Sequence, residues 1–511
     1  MSTANRIIKN TGFLYARMAI TIFISLYSTR LILEALGADE FGIFNVVGGS
    51  ITMLLFLNNA MTAASQRFMS YVLGEDKLEK LKSVFVSSLL IHLIVGLLIV
   101  VILEVGGMFL FDGVLKIPPE SISAAKFIYQ VLIISTFFNI ISVPYDAVIN
   151  AHENMFLVAI LGISQAFFRL FIALFLMYSH GGLKVYGVLM ASMAIILMLI
   201  KRIYCHINYD AISYKIKNYF SKDLFYEMIG YAGWNILQSS SRVLSIQGMS
   251  IVLNSNFGVL VNAAQGIANQ VNGQLNSFST TMLQALNPVI VKSEGAKKRD
   301  TMLKTSIAGS KLSFFLFAVL AIPFIVEADY ILGVWLKKVP EFAVIFCRLI
   351  LLVTAIRQIT ITLNTAIAST GRIKNSSIVE AIVMVMLLPV SILLFWAGGK
   401  EYVIYLVLIG VEVCIGASRI WFAHKYCGLG IGFFVRNVVL VQSLIFITTI
   451  TLTYFVSGLF VEGFIRLIIS GAVSSVMMIF LTLFLAFSAE ERGSIKKVIN
   501  SLVNKVKGGK K

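Results

Sequence analysis

The chain is built from long apolar runs separated by short polar breaks. A run of about 20 apolar residues spans the hydrocarbon core of a bilayer as a helix. Fourteen runs at or near that length follow one another, at 10–33, 41–64, 83–111, 125–149, 156–178, 185–200, 228–253, 259–290, 305–328, 342–369, 377–396, 402–424, 438–459 and 464–487. They lack the apolar/polar alternation of a membrane barrel, so strands are not expected. A composition of 58% hydrophobic and 13% charged residues, with a mean hydropathy of +0.89, leaves no interval long enough for a soluble domain. The expectation is an all-α integral membrane protein of about 14 transmembrane helices.

The formal net charge is +17, and its distribution decides what it means. With the N-terminus inside, cytoplasmic segments carry 27 Lys and Arg and the opposite side carries five, Lys116, Lys184, Lys337, Lys338 and Lys400. Such asymmetry sets membrane orientation. Both termini are therefore expected in the cytoplasm, and the basic excess is a topology signal rather than a nucleic-acid patch. The tail, with Lys496, Lys497, Lys505, Lys507, Lys510 and Lys511, is expected to meet anionic headgroups of membrane lipids. Arg6 and Lys9 precede the first run as they would in a signal peptide, but Arg17 and Arg30 inside it and further spans directly after it make it the first transmembrane helix. Cys205, Cys347, Cys414 and Cys427 have no metal or redox spacing and read as packing residues.

Ten basic residues remain inside the spans, where an ionised group is costly and marks function. Arg169, Arg242 and Arg357 fall near the middle of their helices, and Arg17 in the inner third of the first. Arg348 and Arg357, nine residues apart, point to opposite sides of the tenth helix, and the deeper Arg357 is the one assigned to a cavity. Only Glu104, Asp146, Glu327, Glu380 and Glu412 offer acids within spans, so the interior is net cationic and suits an anionic substrate.

In the eighth span Asn262, Gln265, Asn269, Asn272, Asn276, Thr280, Gln284 and Asn287 follow steps that place them along one side of a helix. The alternatives are a water-filled surface offering donors and acceptors to sugar hydroxyls and hydrogen bonding between helices of the bundle. Asn235, Gln238, Arg242 and Ser245 repeat the pattern in the seventh span, Asn45, Thr52, Asn59 and Gln66 in the second, and Arg17, Thr21, Ser25 and Ser28 in the first. Asn45, Asn59, Asn235, Gln238, Asn262, Gln265, Asn269, Asn272 and Asn276 are the candidate sugar contacts. Arg17, Arg169, Arg242 and Arg357 are the candidate anion contacts, expected to line one cavity.

A weak repeat is visible. Phe41-Gly42-Ile43-Phe44-Asn45 opens the second span, and Phe257-Gly258-Val259-Leu260-Val261-Asn262 opens the eighth. Ala147-Val148-Ile149-Asn150-Ala151 has a counterpart in Ala366-Ile367-Ala368-Ser369. Six helices separate each pair, an even number, so the halves are parallel pseudo-repeats with binding at their interface. The expected organisation is a first lobe over 1–206, a cytoplasmic linker over 207–227, a second lobe over 228–424, two further helices over 438–487 and a basic tail over 488–511. Pro144, Pro288, Pro323 and Pro389 break the membrane part as hinges or as static irregularities.

Lys9-Asn10-Thr11, Leu14-Tyr15-Ala16-Arg17, Leu26-Tyr27-Ser28-Thr29-Arg30, Leu36-Gly37-Ala38-Asp39-Glu40-Phe41-Gly42-Ile43 and Gln66-Arg67-Phe68 resemble the start of the polysaccharide-unit flippases of bacterial envelopes, the Wzx type. Ile331-Leu332-Gly333-Val334-Trp335-Leu336 and Ala368-Ser369-Thr370-Gly371-Arg372-Ile373-Lys374 are similar to later segments of that group. The resemblance implies the multidrug/oligosaccharidyl-lipid/polysaccharide exporter fold, with two six-helix lobes and two extra helices. It also implies transport of undecaprenyl-diphosphate-linked oligosaccharide across the bacterial inner membrane for O-antigen or other lipopolysaccharide and surface polysaccharide assembly. A polysaccharide polymerase and a chain-length regulator would be its partners. Lipid II flippases share the span number and a cationic cavity. Multidrug and toxin extruders often carry a carboxylate in the first helix for cation coupling, where this chain has Arg17 and Arg30.

No paired carboxylates, nucleophile arrangement, Gly-rich phosphate loop, metal cluster or cofactor motif is present in the sequence, so enzymatic chemistry is not expected. For coupling, Glu412 near the middle of the twelfth span is the candidate proton carrier, with a structural pair to Arg419 as the alternative. His92 is a weaker candidate, against the reading of a core histidine satisfied by a backbone carbonyl.

Overall fold

The computed structural model describes residues 3–52, 55–111, 121–179, 181–336, 338–488 and 492–493. Asn45, Thr52 and Asn59 lie outside the residues whose side chains are described, and the lysines of the tail outside the described residues altogether. The elements in order are α1 (Thr3–Thr52), α2 (Leu55–Glu75), α3 (Leu78–Phe109), α4 (Ile122–Ala151), α5 (Met155–Ser179), α6 (Gly182–Asn208), α7 (Ile216–Tyr219), α8 (Lys222–Phe257) and α9 (Val259–Gly295). They continue with α10 (Arg299–Val326), α11 (Ala328–Trp335), α12 (Ala343–Ser369), α13 (Lys374–Val385), α14 (Leu387–Trp396), α15 (Val403–Cys427), α16 (Ile431–Phe434), α17 (Leu440–Ser457) and α18 (Phe464–Leu481). There is no strand among the described residues.

Among the described residues eleven helical stretches, α13 with α14 and α16 with α17 each forming one, are long and apolar enough to cross a membrane. The expected seventh and eighth spans are helical but more polar, because they carry the amide and hydroxyl stripes. Exposed Phe23, Met108, Phe171, Leu444 and Ile465 give the outer faces the character of surfaces that meet lipid. The chain is a multi-pass membrane protein. A bilayer gives helices no hydrophobic drive to associate, so packing and interhelical hydrogen bonds hold the bundle.

Two compact units emerge, Lys9–Ser239, and Ser240–Lys511 together with Met1–Ile8. The division falls inside α8 rather than in 207–227, because α8 runs unbroken from Lys222 to Phe257 and α7 packs on α3. In the unit Lys9–Ser239, α4 is central and packs on α2, α3 and α6. Its buried Ile128, Tyr129, Ile133 and Ile140 join Ile99, Leu103, Ile172 and Tyr186 in one core. In the unit Ser240–Lys511, α12 takes the equivalent place and packs on α9, α10 and α15. Phe346 of α12 meets Tyr405 of α15 with ring centroids 4.7 Å apart. The packing of α2, α3 and α6 on α4 in the first unit thus recurs as that of α9, α10 and α15 on α12.

The register of the repeat differs from the expected one. Helix α1 is broken at Gly37 (φ 73°, ψ 171°), and α8 is parted from α9 at Gly258 (φ 84°, ψ −174°). Both lie in a backbone region open essentially to glycine alone. Gly37 therefore matches Gly258, and Gly42, which is helical, does not. Among the prolines, Pro144, Pro288 and Pro323 lie inside α4, α9 and α10 without ending them. Pro389 sits four residues after Val385, where its ring excludes the Val385 carbonyl and its missing N–H removes a bond, and the helix divides there into α13 and α14.

Candidate functional site

In the unit Ser240–Lys511 the deep charges converge on α15. Glu412 is fully buried, and its Oε1 accepts from Arg242 Nη1 of α8 at 2.9 Å and from Arg357 Nε and Nη2 of α12 at 3.0 and 2.7 Å. Two guanidiniums against one carboxylate leave one positive charge. Their side chains stay 26% and 19% exposed, so the cations are approachable where the carboxylate is not. Glu412 Oε2 is buried and has no partner.

Two turns on, Arg419 shares the buried side of α15 with Glu412, as a seven-residue spacing requires. The expected pair between them does not form. Arg419 donates from Nε and Nη2 to both oxygens of Glu380 on α13, at 2.9 and 2.8 Å. Arg419 Nη1 is buried without a partner. The proton-carrier reading of Glu412 rested on its burial at mid-span, with a pair to Arg419 as the alternative, and the structure sets its carboxylate instead against Arg242 and Arg357.

The interior also neutralises itself more than its composition suggests. Asp146 accepts from Lys201 at 2.8 Å and Glu327 from Arg466 at 2.9 Å and Ser470 at 2.7 Å, while Glu104 accepts only from the neutral amide of Gln130, at 3.0 Å. Arg348 leaves the opposite side of α12 for Asp329, at 2.7 Å. Arg17 and Arg169, both in the unit Lys9–Ser239, meet no carboxylate among the described residues. Arg17 is half-buried and lays its stem against Gly162 of α5, where a Cβ would collide with it. Arg169 lies within electrostatic reach of Tyr186 on α6. Arg242 and Arg357 belong to the unit Ser240–Lys511.

The amide ladder of α9 divides into two edges. Asn272 accepts from Thr354 Oγ1 at 2.7 Å and Asn276 from Gln358 Nε2 at 2.6 Å, both on α12. Gln358 Oε1 accepts from Ser313 of α10 at 2.5 Å, and Thr365 donates to Asn287 at 3.0 Å. For Asn272, Asn276 and Asn287 the bundle reading replaces the sugar-facing one. Gln265 is buried, as is the Oδ1 of half-buried Asn262. Of the five candidates on α9, only Asn269 is exposed. A stripe at three-and-four spacing is wide enough for one edge to bind a neighbour while the other faces away. Exposed Gln270 and Gln274 were missed. Their signal was the small residues Gly266 and Gly273 beside them, which keep that edge open.

In α8, Asn235 pairs with the Tyr231 hydroxyl, and the Gln238 side chain is engaged in local contacts. Arg67 of α2 packs over the rings of Phe68, Tyr71 and Tyr231, at 4.6, 4.8 and 5.4 Å. His92 bonds the Ser88 carbonyl through Nδ1 at 2.8 Å, as a core histidine does. Cys205, Cys347 and Cys427 are buried, whereas Cys414 is exposed and does not pack. A cavity of about 470 Å³ in the unit Lys9–Ser239 is lined by Glu79, Ser83, Tyr219, Asp223 and Glu227 among others, and holds none of the candidate residues.

No family model matches the chain, and no curated protein does. Solved structures do match. A MATE transporter in complex with MaD3S superposes with a TM-score of 0.71 at 12% identity, over 85% of this chain and 98% of that one. The chain has the MATE fold. A variant of the Vibrio cholerae MATE transporter VcmN gives 0.68 at 17% identity, over 84% and 98%. A MOP superfamily transporter from Pyrococcus furiosus, described as having a binding pocket of reverse polarity, gives 0.65 at 13% identity, over 85% and 99%. Helices α4 and α12, the fourth and tenth of the spans read from the sequence, take equivalent places within the two units.

Proposed function

We propose that this chain is a flippase that carries undecaprenyl-diphosphate-linked oligosaccharide units from the cytoplasmic to the outer leaflet by alternating access. Membrane transport is the activity for which the MATE fold is built in its solved relatives, and the chemistry of this chain narrows the cargo. The observation that carries the reading is the pair Arg242 and Arg357, two partly exposed arginine side chains sharing one buried carboxylate near the middle of long helices. Guanidinium groups match phosphate oxygens with paired, charge-assisted hydrogen bonds. Arg17 and Arg169 add two cations at membrane depth, and Asn269, Gln270 and Gln274 offer neutral donors and acceptors suited to sugar hydroxyls. The lipid tail stays in the bilayer while the charged headgroup follows the polar route.

In this reading Arg17 and Arg169 in one unit and Arg242 and Arg357 in the other are the diphosphate contacts, both termini are cytoplasmic, and the protein works in the bacterial inner membrane beside a polymerase and a chain-length regulator. It performs no covalent chemistry. Reconstitution tests the proposal. Proteoliposomes holding the purified chain and a fluorescent undecaprenyl-diphosphate oligosaccharide should expose the sugar to an impermeant quencher far faster than empty vesicles. Arg357→Gln and Arg17→Gln should each slow that exposure at least tenfold. Transport of lipid II alone, or of a cationic dye with no movement of the oligosaccharide, would sink the assignment in favour of a cell-wall flippase or a drug exporter.

A further inference from the structure

Two buried polar atoms on α15 have no partner, and they are complementary. Glu412 Oε2 is an acceptor and Arg419 Nη1 a donor. An unsatisfied buried atom of a charged group is costly, and native structures keep few of them. Both belong to side chains on one side of one helix, seven residues and about 10 Å of rise apart, within the joint reach of a glutamate and an arginine. Arg419 and Glu412 already lie within electrostatic reach of each other.

The remaining bonds of the two residues are unequal. Arg419 holds Glu380 with two parallel bonds and is only 6% exposed, so it is fixed. Glu412 hangs by one oxygen, Oε1, on which three donors from Arg242 and Arg357 crowd. A phosphate group would satisfy those donors better, since its oxygens spread over a tetrahedron, and both arginine side chains keep part of their surface exposed.

We propose that Glu412 is an exchangeable counter-anion. It holds Arg242 and Arg357 while the substrate's diphosphate is absent, and it turns to the free Nη1 of Arg419 when the diphosphate takes the two guanidiniums. The proposal rests on the reading above that the substrate carries a diphosphate. It assigns Arg419 a positioning role, since this residue never touches substrate and sets how readily Glu412 departs. A substrate that binds thereby repacks the contact of α15 with α8 and α12, so occupancy is converted into a change of helix contacts.

Titration calorimetry of the full-length protein in detergent with inorganic pyrophosphate, at fixed ionic strength, tests this. Removing the competing carboxylate in Glu412→Gln should tighten binding about tenfold. Glu412→Asp keeps the charge with a shorter reach and should tighten binding by a smaller factor, which guards against a folding defect in the neutral variant. Arg419→Lys removes the alternative partner and should weaken binding severalfold in the native background. In the Glu412→Gln background it should do nothing, since the group it receives is gone. Equal or weaker binding in both Glu412 variants overturns the proposal, as does an Arg419→Lys effect of the same size in both backgrounds. If the native protein binds pyrophosphate, Arg357→Gln loses it and the Glu412 variants fail to tighten it, the exchange is wrong and the diphosphate reading stands. If neither the native chain nor Glu412→Gln binds pyrophosphate, both fall.

Discussion

A buried guanidinium is tolerated only when its charge is met, and Arg419 shows the stability consequence separately from substrate. Its partner Glu380 holds it through both oxygens where neither side chain reaches solvent. Removing one member strands the other, which costs about 3–5 kcal/mol, whereas replacing both by apolar residues of similar volume is often neutral. Glu380→Ala should therefore lower the thermal unfolding midpoint in detergent sharply, and Glu380→Leu with Arg419→Met should recover most of the loss. A double variant as unstable as the single one would show that the pair is not what matters. The deep arginines were legible in the sequence because charge inside an apolar run stands out. Their partners were not, because the pairs join residues far apart in the chain, 170 positions for Arg242 with Glu412 and 39 for Arg419 with Glu380. Local spacing pointed instead to Glu412 with Arg419, which share a side of the helix yet bond elsewhere.

Helix junctions carry the repeat. Gly37 and Gly258 adopt the same glycine-only conformation at equivalent places, so an added Cβ strains both by about 1–3 kcal/mol. Gly37→Ala and Gly258→Ala should each destabilise the protein, while Gly42→Ala, helical and with open space around it, should be neutral or slightly stabilising. Detergent unfolding curves of the three variants check this, and a damaging Gly42→Ala would restore the register read from the sequence. The spans were legible from apolar length, but the junction conformation was not, since Leu36-Gly37-Ala38 and Phe41-Gly42-Ile43 look alike without dihedral angles. At the far end of the chain, buried Glu327 grips Arg466 and Ser470 of α18. Glu327→Gln should raise hydrogen exchange across Phe464–Leu481 while leaving α12 protected. Unchanged exchange in α18 would mean that apolar packing alone retains it.

At the scale of the molecule, the orientation proposed from the basic residues is tested by labelling. In a background lacking the native cysteines, Lys338→Cys should react with an impermeant maleimide applied outside intact cells, and Lys298→Cys only after permeabilisation. The reverse result would invert the protein. The overall architecture was readable because apolar periodicity and charge asymmetry are properties of the whole chain. The division of α9 into a bonded and an open edge was not, since both edges carry the same carboxamides. That division bears on how the protein is made. Helix α9 carries nine carboxamide side chains, too many for it to enter lipid by itself, and the hydroxyls and amide that satisfy Asn272, Asn276 and Asn287 lie on α12, synthesised after it. Membrane integration of the second half must therefore wait on translation: α9 has to be kept beside protein or water until α12 emerges, and the helices from α9 to α12 then leave the insertion machinery together.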